Sequence, residues 1–426
     1  MSHVTPPQQP TITDRARKLA AQILLTAGSR VKRVVTSTIA GEEPEHSPEL
    51  DGLPPFPVVA YFADTPNQGY QLRQWLPVLE RVAAQHPVAI VTRHWELTEQ
   101  LRETTDLPVL FVRRLDGLRR LYEQIDAKTV VYVNNGWRNF QSLIYQRALH
   151  VHVNHGESDK ISMVSNQAKA YDHVVVAGRA AIERHRRALI NFDLDKLVVC
   201  GRPQLDLDVA SVLAPVDGRR TVLYAPTWSG EDDANNYTSL DLYGTAIVRA
   251  LLDRPDVRLV YKPHPRVLTA EEPAVVQAHA EIVRLVTAAR EAGAPHELPL
   301  EADILGLFED ADLLVTDISS VGLDFLYLRP DVPIVLTDRR TDRARIVAEA
   351  PVASVVDIVD GDTVGDVGTL LAANLAQDPH HDARARVRDH YFGFARGDSS
   401  RRFLEFVTDC VARRDAMVAD LDAAAS

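Results

Sequence analysis

Short apolar runs recur along this chain, and between them the apolar positions follow helical spacing. A first series predicts strands at Val58–Ala63, Val88–Thr92, Val109–Val112, Thr129–Val133, Val151–Asn154, Val174–Ala177 and Leu197–Cys200. A polar, proline-containing stretch from Arg202 to Arg220 separates it from a second series at Thr221–Ala225, Val257–Tyr261, Ala311–Thr316, Ile334–Leu336 and Val352–Val356. Strands alternating with helical patterns signal parallel α/β units, so two Rossmann-like domains facing one cleft are expected. From Ser399 to Ala424 charged and apolar residues alternate with helical period, which predicts a closing C-terminal helix. The expected division is 1–56 as a basic segment and proline-rich linker, 57–205 and 206–398 as the two domains, and 399–426 as the helix.

The segment Ala311 to Leu328 is the most informative. Leu313, Leu314 and Val315 read as a buried strand that stops at Thr316-Asp317, while Val321, Leu323, Phe325, Leu326 and Leu328 recur as on an amphipathic helix. Ser319 and Ser320 then fall at the helix N-terminus. Unpaired backbone N–H groups and the helix dipole make that position suitable for a phosphate. The same residues also fit a plain N-cap, and the segment alone leaves both readings open.

At 426 residues, 46% hydrophobic and 25% charged, the chain is long enough for two cores. A formal net charge of -12 argues against a general nucleic-acid binder. Cys200 and Cys410, the two cysteines, form neither a disulfide framework nor a zinc site, which is consistent with a reducing cytoplasm. No apolar run is long enough to cross a bilayer. Arg15, Arg17, Lys18, Arg30, Lys32 and Arg33 lie in a stretch without an acid, and Leu19, Ile23 and Ala27 can share a helical face there. Residues 15–35 therefore fit a helix docked on an anionic membrane surface, and equally a helix packed on its own domain or a basic arm.

Candidate chemistry gathers at strand ends. After Val151–Val153 come Asn154, His155, Gly156, Glu157, Ser158, Asp159 and Lys160. Gly156 permits a sharp turn, His155 is a candidate general base and Lys160 a candidate phosphate partner; a surface histidine and a solvated lysine are the plain alternatives. Tyr224-Ala225-Pro226-Thr227-Trp228 ends another strand, where a hydroxyl and an aromatic can meet a sugar or base, or Trp228 can be core. In Lys262-Pro263-His264-Pro265-Arg266 two prolines fix the backbone around His264, and Lys262 and Arg266 add cations. Asp206-Leu207-Asp208 and Asp360-Gly361-Asp362 do not read as metal motifs, one lying between domains and the other in a turn.

Taken in order, these three motifs and Thr316-Asp317-Ile318-Ser319-Ser320-Val321-Gly322-Leu323-Asp324-Phe325 resemble the CDP-glycerol glycerophosphotransferase family, the polymerases and primases of teichoic acid synthesis. The resemblance extends to Gly397-Asp398-Ser399-Ser400-Arg401, similar to the family's closing signature. It implies a GT-B fold with the nucleotide on the C-terminal domain and the acceptor on the N-terminal one, no cofactor and no obligatory metal. It also implies that His155 activates the acceptor hydroxyl, that His264, Ser319 and Ser320 meet the donor diphosphate, and that Thr227 and Asp317 line the same site. Lys160, Lys262 and Arg266 would add positive charge, and Asp324 would reach ribose hydroxyls or serve as an ordinary helix carboxylate. The implied partners are a CDP-alcohol donor and a lipid-linked or cell-wall glycopolymer acceptor, with CMP released at the inner face of the cell membrane. Asn154 stands where the family often has Trp, Ser229-Gly230 where it often has a charged pair, and Ile318 where it often has Tyr, so substrate-selective contacts are expected to differ. A GT-B glycosyltransferase using a nucleotide-sugar, or a non-catalytic nucleotide-binding protein, would share the fold.

Overall fold

β-Branched and aromatic residues dominate the apolar runs, and such side chains suit a pleated, buried surface. In the computed structural model, which describes residues 45–47 and 52–425, each expected strand except the last forms, with ends displaced by no more than two residues. The basic segment expected at residues 15–35 lies outside the described residues.

Strands β1 (Val58–Phe62), β2 (Val88–Thr92), β3 (Val109–Phe111), β4 (Thr129–Tyr132), β5 (Leu149–His152), β6 (His173–Val176) and β7 (Leu197–Val199) form one sheet in the order β3-β2-β1-β4-β5-β6-β7. A second sheet contains β8 (Arg220–Ala225), β9 (Val257–Tyr261), β10 (Leu313–Asp317), β11 (Ile334–Thr337) and β12 (Asp357–Val359), in the order β12-β11-β10-β8-β9. Pairing is parallel throughout both sheets. Both faces are covered by helices, which is why every residue of β1, β2 and β9 is buried and β1 reads as an unbroken apolar run instead of an alternating one. Strand order reverses between β1 and β4 in the first sheet and between β10 and β8 in the second, and at such reversals crevices open at the strand C-termini.

One expected strand is corrected. Val352–Val356 has strand-like composition, yet Pro351–Val355 makes a 3₁₀ turn with Pro351 in its first position, and Asp357–Val359 pairs with β11 instead. Val352, Ala353 and Val355 are buried in that turn, so their apolar character reports burial and not a ladder. The helix Ser320–Leu328 also departs from expectation: Gly322 through Tyr327 are all buried, so it is enclosed and not amphipathic.

The helix Asp398–Ala424 returns to the first sheet. Phe403, Val407 and Cys410 join the core formed by Val58, Leu79 and Val151, and Phe403 packs 5.1 Å from Trp75. Its N-terminus is capped by Asp206, whose carboxylate accepts from the Gly397 and Ser400 amides at 2.7 and 2.6 Å. A second apolar cluster spans both halves, with Ala177 and Ala180 packed among Leu323, Tyr391 and Phe392. Among the described residues, no helix is long and apolar enough to cross a membrane.

Candidate active site

Beyond β5 the chain turns sharply at Asn154, whose φ of 55° is left-handed, a region that asparagine tolerates better than most residues. Its carbonyl accepts from Trp75 Nε1 at 2.6 Å, and its Oδ1 accepts from the His155 amide at 2.8 Å. Arg202 Nη1 donates to the His155 carbonyl at 3.0 Å. Further along the loop, Arg184 holds Glu157 at 2.6 Å and Asp159 at 2.7 Å, and the Tyr391 hydroxyl donates to Asp159. The loop that carries His155 is therefore fixed on both sides.

It also touches the second half. A β-carbon on Gly156 would lie 3.0 Å from Ser320 Cβ, so glycine is what lets the loop approach the serine helix so closely. Lys160 reaches across and donates to Thr227 Oγ1 at 2.8 Å. Tyr70, from the short helix Tyr70–Arg73, stands edge-on to both imidazoles, with ring centroids 6.0 Å from His155 and 5.8 Å from His264. His155, Lys160, Thr227, His264 and Ser320 are thus brought to one cleft between the strand ends of the two sheets.

Electrostatics separate their roles. Burial, then the nearby Arg202 and Lys160 charges, lower the His155 pKa to about 4, against a smaller opposing contribution from the Val133 carbonyl. At neutral pH the imidazole is uncharged, and its Nδ1 has no hydrogen-bond partner among the described residues. His264 is held well below the ordinary histidine range by burial and by Lys160, His155, Arg266 and Lys262. Its Nδ1 accepts from the Arg266 amide at 3.1 Å, which leaves the ring proton on Nε2 as a donor. The His264 amide donates to the Pro226 carbonyl at 2.9 Å, tying the β9 end to the β8 end. Burial lowers Lys160 to about 8, opposed by Asp317.

Ser319 occupies the N-cap position of the helix, but its side chain makes no capping bond; its Oγ lies 3.5 Å from Thr316 Oγ1. The plain-cap reading of the serine pair is therefore not what this geometry adopts, and the helix N–H groups face the cleft uncapped by a side chain. The Arg266 guanidinium stacks 3.9 Å from the Trp228 ring centroid.

Three further expected site residues are engaged by protein groups in this structure. Asp317 is enclosed and accepts from the Thr227 amide at 2.7 Å, the Ser239 amide at 3.0 Å, and the Ser239 and Thr337 hydroxyls, so it braces the strand ends from behind. Asp324 is engaged by Arg202 at 3.2 and 3.0 Å. Lys262 Nζ donates to the Leu300 carbonyl at 2.8 Å. Tyr70, Arg184, Arg202 and Tyr391 were not singled out from the sequence. Each is a lone residue in an ordinary helix or linker, and only the fold aligns it with the motifs. Among the described residues, no group of three or more His, Cys, Asp or Glu is placed to hold a metal ion.

Two parallel sheets meeting at their strand ends, with a C-terminal helix that returns to the first, define a GT-B-like fold. Within it, residues 144–409 match the CDP-Glycerol:Poly(glycerophosphate) glycerophosphotransferase family, and the chain belongs to that family of enzymes. The fold is similar to that of the wall teichoic acid polymerase TagF, with a TM-score of 0.55 at 13% identity over 86% of this chain and 92% of that one. A structure of the same polymerase with CDPG matches with a TM-score of 0.53 at 12% identity, over 84% and 89% of the two chains. UDP-GlcNAc 2-epimerase from Neisseria meningitidis, bound to UDP-GlcNAc, gives 0.54 at 13% identity over 84% and 100%. No curated protein sequence matches this chain.

Proposed function

We propose that the protein transfers a phosphoglycerol unit, or a related phosphoalcohol, from a CDP-alcohol to a hydroxyl of a glycopolymer acceptor. The observation that carries this reading is the pairing across one cleft of a neutral, loop-locked imidazole, His155, with a donor-rich cradle on the second sheet. His155 takes the proton of the acceptor hydroxyl. The oxygen attacks the β-phosphorus, the new O–P bond forms, and the bond from that phosphorus to the bridging oxygen breaks, so CMP departs with the electron pair. Charge on the transferring and leaving phosphates is met by His264 Nε2–H, Lys160, Arg266 and the N–H groups at Ser319 and Ser320. Thr227 orients Lys160, while Asp317 and Asp324 act from behind, through Thr227 and Arg202. The residues 57–205 would hold the acceptor and 206–398 the donor, at the inner face of the membrane.

The similarity to a UDP-GlcNAc-bound epimerase keeps nucleotide-sugar transfer as a second reading. One screen separates them: CDP-glycerol, CDP-ribitol and several nucleotide-sugars are incubated with the protein and membrane extract. CMP release with phosphorus entering the acceptor is the expected result. UDP or GDP release with phosphorus-free transfer would overturn it.

A further inference from the structure

The strand-order reversal of the second sheet is occupied by Thr227 and the serine pair, but the reversal of the first sheet, between β1 and β4, is built from residues that the transfer step does not use. Asp64 follows β1 and Asn134 follows β4. Asn134 Nδ2 donates to Asp64 Oδ2 at 2.7 Å and to Gln71 Oε1 at 2.8 Å, and its Oδ1 accepts from the Gly136 amide at 3.1 Å. Its carbonyl accepts from Asn139 at 2.7 Å. Asn134 is thus consumed as a scaffold that aims its two neighbours. A β-carbon at Gly136 would come within 2.6 Å of Asp64 Oδ2, so this packing requires glycine. Among the described residues, Oδ1 of Asp64 has no hydrogen-bond partner, and Gln71 Nε2 has only the long 3.3 Å contact to the Tyr70 hydroxyl.

The cluster adjoins the candidate base. Gln71 follows Tyr70, whose ring meets His155 edge-on, and Trp75 on the next turn holds the Asn154 carbonyl. Its chemistry differs from the phosphate cradle opposite. A carboxylate accepts from hydroxyls and repels phosphate, and an amide and a phenol serve either partner of a hydroxyl. Arg138, anchored to the Ala63 carbonyl at 3.2 Å, and Arg93, anchored to Gln141 at 2.9 Å, place cations along neighbouring strand ends. An anionic chain is attracted to that edge, while the carboxylate admits only its hydroxyl end.

We propose that Asp64, Gln71 and Tyr70, positioned by Asn134, form the subsite for the terminal polyol of the acceptor and present its hydroxyl to His155. The proposal rests on the transferase reading above. All of these residues precede the segment that matches the family, so family membership does not assign them.

The test is calorimetric titration of the full chain with a soluble, glycerol-terminated poly(glycerophosphate) oligomer and, separately, with CDP-glycerol. Asp64→Asn keeps the size and one acceptor of the side chain; Gln71→Ala gives a second variant should the first fold poorly. Losing a hydrogen bond to a charged group predicts oligomer affinity about tenfold weaker or more, with CDP-glycerol affinity within about twofold of the parent. Equal oligomer affinity in both variants, no oligomer binding by the parent, or a parallel loss for both ligands overturns the subsite. A parent that releases no CMP from CDP-glycerol sinks the donor reading alone, because the oligomer titration still decides this one.

Discussion

His155 and Lys160 are displaced from their ordinary titration ranges in the direction that suits their proposed roles. The imidazole, lowered to about 4, is a neutral base above that pH, and the ammonium, lowered to about 8, is charged below it. With those proposed roles, kcat/KM should form a plateau from roughly pH 4 to 8 that falls on either side. The acid limb follows protonation of His155, and the alkaline limb follows loss of the Lys160 charge. In Lys160→Gln the alkaline limb should disappear along with about tenfold or more of the rate; an alkaline limb that persists would assign it to another group. Both residues were legible in the sequence because they sit in a short motif beside a glycine. Arg202 was not, although it holds the His155 carbonyl and both oxygens of Asp324. A single arginine in a linker carries no periodicity, and its importance arises only where three distant segments converge.

The β10 strand and the helix that follows it show what an apolar pattern can and cannot reveal. The strand, the turn and the helix were all readable from spacing, yet the direction in which Asp317 faces was not. Its carboxylate turns inward and collects donors from the ends of β8 and β11 as well as from Ser239, so it binds these elements to one another. Asp317→Ala strands those donors in a buried setting and should destabilise the fold by roughly 3 to 5 kcal/mol in urea denaturation. A loss under about 1 kcal/mol would show that the brace is dispensable. The misplaced strand at Val352–Val356 has the same origin. A run of buried valines is compatible with a ladder or a turn, and Pro351 and the pairing of Asp357 with Val335 decide for the turn.

Connectivity between the halves depends on the helix Asp398–Ala424, which leaves the second half and completes the core of the first. Phe403 is its main apolar anchor, and Phe403→Ala should cost about 3 to 5 kcal/mol by opening a cavity against Trp75. Because Trp75 also holds the Asn154 carbonyl, the same substitution should lower kcat more than it changes donor affinity. Unchanged kcat in a measurably destabilised variant would separate the helix from the site. Two domains and their cleft were legible from the strand series, but the crossing contacts were not, since nothing in a one-dimensional pattern tells which loops of two sheets will meet. At Gly156 they meet with a clearance set by a single hydrogen atom. A methyl group there would press on Ser320 and shift it by a few tenths of an ångström. Applied where the His155 loop meets the serine helix, that wedge presses the two apart. The spacing between the His155 loop and the serine helix is gauged at this residue by the absence of a side chain.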